Sequence, residues 1–107
     1  MLKFMVVVYK RPGMSSEEFR RYFKEVHGPL AQKLPGLRKY WQNFPQADAS
    51  RKSPDWDAVV ELYFDDWEAM EAAWASPQGA ASDEDLGVFA DLARTSWSVV
   101  EEIKVMA

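Results

Sequence analysis

The single histidine of this 107-residue chain, His27, is its clearest acid–base group. An imidazole titrates near neutral pH without help from its surroundings. It sits in His27-Gly28-Pro29-Leu30, near the end of an amphipathic segment. Two roles fit that position. Beside a pocket, a half-buried imidazole is a general acid or base. At a helix end, it bonds a carbonyl that Pro29 leaves without a donor and so helps to fix a kink. Tyr40 is a second candidate: its hydroxyl either donates to a substrate oxygen or is satisfied at a pocket rim. Glu61 is the third, a carboxylate between Val60 and Leu62 that either faces solvent or is buried and paired, with a raised pKa if unpaired.

Several other chemistries are excluded by what the chain lacks. It has no cysteine, so neither a disulfide framework nor a thiolate metal site can form. With one histidine besides, no zinc site is expected, and no metal or redox cofactor is expected to be needed for folding or ligand binding. No G-x-S-x-G elbow and no phosphate-cradling glycine loop occur. A net charge of -4 argues against nucleic acid as a partner. Arg20, Arg21 and Lys24 share their segment with Glu17, Glu18 and Glu25, which reads as a solvated helix face. The apolar N-terminal run is too short to span a bilayer and has no signal-peptide pattern, so a soluble, cytoplasmic protein is expected.

The elements that must hold these groups follow from the hydrophobic spacing. One domain, 1–107, is expected at this length. Leu2 to Tyr9 is a near-continuous, Val-rich run that reads as a central strand. Pro12-Gly13 ends it, and Ser15 with Glu18 forms a capping box for a helix. In that helix Phe19, Tyr22, Phe23, Val26 and Leu30 make one stripe, with His27 at its margin. Pro29 predicts a kink or restart near Gly28. A second strand is expected over Leu37 to Phe44, a polar loop over Pro45 to Trp56, and a third strand over Asp57 to Phe64. Asp65 or Asp66 then caps a helix with a Trp67, Met70 and Trp74 stripe. Ser76-Pro77-Gln78-Gly79 interrupts it, and Ser82 is expected to cap a further segment carrying Leu86, Phe89, Ala90 and Ala93. Thr95 to Val105 completes the chain as a long strand. The order βαββαβ predicts an α+β, ferredoxin-like domain: a four-stranded antiparallel sheet with both helices on one face.

That arrangement leaves one face of the sheet without helices. The first strand is apolar on both faces, with Phe4, Val6 and Val8 on one and Met5, Val7 and Tyr9 on the other. An uncovered apolar face of this size predicts a homodimer packed sheet to sheet. Strand alternation puts Glu61 with Val59 and Tyr63, on the dimer side, where an ion pair between subunits is the expected role. Aromatic residues make up 14% of the chain, including five Trp. Trp41, Trp67, Trp74 and Trp97 could line a pocket for a flat ligand, although the helical spacing of Trp67 and Trp74 reads more simply as core.

The chain resembles the EthD family, named for ethyl tert-butyl ether degradation, among the dimeric α/β-barrel proteins. The resemblance is carried by Lys10-Arg11-Pro12-Gly13-Met14-Ser15, Glu18-Phe19, His27-Gly28-Pro29-Leu30, Pro35-Gly36-Leu37, Tyr40, Asn43 and Glu61-Leu62-Tyr63-Phe64-Asp65. It implies two ferredoxin-like protomers joined through their sheets, each with a pocket between sheet and helices. It also implies action on small cyclic or aromatic molecules without an organic cofactor or metal. By similarity to a methylmuconolactone methylisomerase of this group, a helix-one histidine falls on His27 and a pocket tyrosine on Tyr40. That isomerase uses a second histidine, which this chain lacks. Cofactor-free proton transfer within an isomerisation, cyclisation or oxygenation is therefore expected, with His27 and Tyr40 as catalytic residues. The alternatives are a non-catalytic ligand-binding or accessory protein with the same pocket, and a monooxygenase of the haem-degrading or quinone-forming kind.

Overall fold

The computed structural model describes residues 1–46, 50 and 55–106. Four strands form one sheet: β1 (Leu2–Val8), β2 (Lys39–Asn43), β3 (Ala58–Phe64) and β4 (Ser96–Val100). Their spatial order is β2-β3-β1-β4, with every neighbouring pair antiparallel. The Val-rich β1 lies inside the sheet, between β3 and β4, as its doubly apolar pattern requires. This is the ferredoxin-like arrangement expected from the order of elements. β4 is shorter than the expected strand over Thr95 to Val105, and residues 101–106 continue without regular structure. Residues 47–49 and 51–54 of the expected loop lie outside the described residues.

The helices cover one face of the sheet. Ser15 accepts the Glu18 N–H and starts α1 (Ser16–Tyr22). A π-helical turn, Phe23–His27, follows, and α2 (Gly28–Ala31) completes the first helical layer. The kink or restart expected near Gly28 is thus a change of helical winding, from the π turn back to α-helix at Gly28. Both Pro-Gly turns hold their glycine at positive φ, 87° at Gly13 and 78° at Gly36.

Asp66 accepts the Ala69 N–H and caps α3 (Trp67–Ala75). The second break differs from expectation. Ser76, not Ser82, caps α4 (Pro77–Phe89), and it does so directly after closing α3. Pro77 takes the first helical position, where a missing N–H costs nothing. Ser82 is instead buried in the middle of α4. Trp67, expected in the core stripe, is exposed, and Ala73 is buried with Met70 on the inner face.

Between the layers Phe19, Phe23 and Phe89 form an aromatic centre, with Phe23 and Phe89 edge to face at 4.8 Å. Burial of each such ring contributes roughly 1.5–3 kcal/mol. The opposite face of the sheet is less apolar than the first strand alone suggests. Lys3 sits there between Glu61 and Glu102, and Tyr63 donates its hydroxyl to Glu102 at 2.8 Å. Glu61 does lie on this face, but it finds its cation within its own chain. Lys3 holds the Glu61 carboxyl below its ordinary pKa, and Asn43 adds a hydrogen bond to it.

Candidate functional site

The π turn decides where His27 points. An α-helix brings residues three and four apart to one face, whereas the wider turn favours the longer spacing. The buried positions accordingly run Phe19, Phe23, His27, Ala31 at intervals of four. Val26 and Leu30, expected in the stripe, are displaced from it: Val26 is 46% exposed and Leu30 half-buried. His27 moves from the margin into the interior, at 6% exposure. The Gly28 N–H reaches back to the Phe23 carbonyl, which also accepts Gln42 Nε2 at 3.1 Å. The hydrogen bond of the His27 side chain goes to another side chain rather than to a carbonyl freed by Pro29.

Its partner is Asp85 on α4. His27 Nδ1 lies 2.8 Å from Asp85 Oδ2, and the Tyr22 hydroxyl donates to Asp85 Oδ1 at 2.6 Å. A carboxylate beside Nδ1 accepts a proton from it, which leaves the lone pair on Nε2. Nε2 has no hydrogen-bond partner among the described residues. The ring is held edge-on by Phe23 at 5.4 Å and against Phe89 at 4.9 Å. Two effects oppose each other at this imidazole. Burial pushes its pKa down and Asp85 pulls it up; burial prevails, so the pKa lies below its ordinary value. At neutral pH the ring is uncharged and able to accept a proton. Asp85 has the reverse effect on Tyr22, whose hydroxyl it pushes up to about 12.

His27 borders a cavity of about 590 Å³ between the helices and the sheet. Its walls are mainly apolar, from Phe4, Val6, Val60 and Leu62 of the sheet and Met70 and Leu86 of the helices. Tyr40 lines the same cavity, so the structure brings both candidate residues to one space. Its hydroxyl accepts Gln42 Nε2 at 2.9 Å and keeps its own proton free to donate. Burial raises the Tyr40 pKa, which keeps that proton in place. Glu61 lies across the sheet, away from this site. Trp74 and Trp97 line the cavity, and Phe4 packs against both, with ring centroids 5.2 Å and 5.5 Å away. Trp41 and Trp67 are exposed elsewhere. Among the described residues, no three His, Asp or Glu side chains converge as a metal site, and no helix is long and apolar enough to cross a membrane.

The sequence reading did not identify Asp85. Its one local signal is an acid on the inner face of α4, four residues before the fully buried Phe89. Its pairing with a residue 58 positions earlier leaves no trace in local spacing. Gln42, which bonds the Phe23 carbonyl and its strand neighbour Tyr40, was missed as well, since its reach to Phe23 spans 19 positions.

The sheet, its single helical layer and the cavity between them define a ferredoxin-like domain with an internal cavity. The chain belongs to the EthD family, whose domain profile matches residues 11–93. Among solved structures, it is similar over 96% of its length to an ethyl tert-butyl ether degradation family protein from Bacillus halodurans. That protein is matched over 100% of its chain, at 25% identity and a TM-score of 0.80. It is also similar to SnoaB, a cofactor-independent oxygenase from Streptomyces nogalater, over 98% of this chain and 95% of that one. There the identity is 13% and the TM-score 0.67, a likeness of fold. A dimeric protein of unknown function from Bacteroides fragilis matches at 16% identity and a TM-score of 0.67, over 94% of this chain and 95% of its own. No curated protein sequence matches the chain significantly.

Proposed function

We propose that this protein is a cytoplasmic homodimer that takes a small apolar or aromatic molecule into the 590 Å³ cavity and moves a proton on it without a cofactor. The observation that carries this reading is the buried His27, held by Asp85 through Nδ1 at the edge of an apolar cavity. His27 Nε2 would take a proton from the substrate, and the Tyr40 hydroxyl would donate to the oxygen on which charge develops. Isomerisation, cyclisation and oxygenation of an aromatic can each begin with that abstraction. The likeness to a cofactor-independent oxygenase supports such chemistry, and the dimeric ferredoxin-like relatives support the homodimer.

A binding protein without turnover is the second reading. It is favoured by the Tyr22–Asp85–His27 bonds, which tie α4 to the first helical layer whether or not a reaction occurs. The two readings separate on a neutral carbon acid. In deuterium oxide, β-tetralone should exchange its activated C–H for C–D faster with the protein than in buffer, as followed by proton NMR. His27→Gln should lose roughly 10²–10⁴-fold of that acceleration, the usual contribution of a general base. Saturable binding with no acceleration would leave the binding protein. Acceleration that survives His27→Gln would remove His27 as the base.

A further inference from the structure

We propose that the cavity selects an uncharged, flat aromatic molecule bearing a carbonyl or hydroxyl oxygen, and that the Trp74 indole N–H joins the Tyr40 hydroxyl as a donor to such a ligand. This rests on the cavity being a ligand site, as read above, and requires no turnover there. Three observations converge on it.

The first is shape. Trp97 stacks on Phe4, with their planes 20° apart, and Trp74 also packs on Phe4, tilted at 48°. These rings offer aromatic surface to a planar guest. A volume of about 590 Å³ lies within the range of small-molecule pockets, roughly 300–1,000 Å³. The exposed Trp97, Ala80 and Asp83 mark the side on which the cavity meets solvent.

The second is charge. The ionisable groups among the described lining residues are His27, Tyr40 and Asp83, and neither lysine nor arginine lines the cavity. An anion entering it would give up its hydration and gain no cation in exchange, while Asp83 repels it at the solvent side. A neutral guest meets no such cost. If it loses a proton to His27, the imidazolium that forms stays paired with Asp85 and balances the new anion.

The third is an orphan donor. Trp74 Nε1 is shielded from solvent and has no hydrogen-bond acceptor among the described residues. A buried indole N–H normally finds a partner, and an unpaired one calls for an explanation. Trp74 itself is half-buried at the cavity wall, so its unpaired N–H belongs to a side chain that a guest in the cavity would touch. A ligand acceptor there removes the deficit.

The test uses naphthol, naphthalene and naphthoate as probes near neutral pH, with affinities from calorimetry and the Trp indole protons observed by NMR. Naphthol should bind wild type at least roughly tenfold more tightly than naphthoate. On naphthol binding, the Trp74 indole proton should move downfield. Trp74→Phe should weaken naphthol roughly five- to tenfold more than it weakens naphthalene, which loses ring contact but no hydrogen bond. Should that variant fail to fold, the wild-type indole resonance decides the donor role. Equal affinity for naphthoate overturns the charge selection, and an unmoved Trp74 proton overturns the donor role. In both cases the ligand site itself survives. Failure of all three probes to bind removes the ligand site and this inference together. The expected pattern without tetralone exchange would support the inference while removing the enzymatic reading.

Discussion

Asp85→Asn tests the site most directly, because it deletes one charge while keeping the side chain's shape. In the wild type the carboxylate accepts Tyr22 at 2.6 Å and His27 at 2.8 Å. Hydrogen bonds to a charged acceptor contribute ~1.5–3 kcal/mol and neutral ones ~0.5–1.5 kcal/mol. Each bond therefore weakens by about 1 kcal/mol, and the variant should lose ~2 kcal/mol in all. At this chain length that is a fall in Tm of ~8 °C at about 4 °C per kcal/mol. The pH dependence is the sharper readout. Burial holds the folded His27 below the ordinary 6.5, so the unfolded chain takes up its proton first as the pH drops. Wild-type stability should be full above pH 6.5 and decline below it, by at most ~1.4 kcal/mol per pH unit for one proton. Without the Asp85 charge the folded imidazole resists protonation further, so in Asp85→Asn the decline extends to lower pH. Urea melts from pH 8 to pH 5 and an NMR titration of the His27 ring protons measure both effects. A wild-type His27 that titrates above 6.5 would refute the reasoning: the ion pair would then outweigh burial, and a ring already protonated at neutral pH could not act as a base.

The remaining expectations concern the sheet and the helix corner. Trp41→Glu combined with Val7→Glu, which puts charges on the open face, should convert a wild-type dimer to monomer by light scattering; a monomeric wild type at micromolar concentration would contradict sheet-to-sheet pairing. Lys3→Met leaves the half-buried Glu61 without its cation and should cost ~1–3 kcal/mol in urea melts, with the loss shrinking as acid neutralises the carboxylates. Gly79→Ala drives a methyl into the Ala73 and Trp74 carbonyls and should destabilise by at least ~2 kcal/mol; near-wild-type stability would show that the helix corner yields.

The strands and caps were legible because their signals are local. β1 announces itself by a Val-rich run, the turns by Pro12-Gly13 and Pro35-Gly36, and α1 by Ser15 with Glu18. The first helical layer was legible only in part. Pro29 signalled a disturbance, but whether the chain kinks or widens into a π turn depends on Gln42 and Asp85 reaching it from other elements. That choice moved Val26 out of the core and His27 into it. The second break was misread for a related reason. Ser76 and Ser82 are both plausible caps, and the nearness of α3 settles the matter: Gly79 fits against the Ala73 and Trp74 backbone only if α4 has already begun. Of the candidate site, the sequence contained His27 and Tyr40, whereas the carboxylate that fixes the imidazole comes from far along the chain.

The corner at Ser76 has a consequence for how this pocket can change over time. One serine ends α3 and begins α4: its hydroxyl donates to the Ala73 carbonyl and accepts the Gly79 N–H. No loop separates the two helices. Trp74 stands just before this corner and Asp85 two and a half turns after it, so the two arms behave as a rigid bracket. Insertions that surface loops absorb cheaply have no slack to occupy here. One extra residue at the bracket would turn α4 about its own axis and carry Asp85 away from the imidazole. Variation in pocket size should therefore proceed by exchanging wall side chains such as Met70 and Leu86, while the length of chain between Trp74 and Asp85 stays fixed.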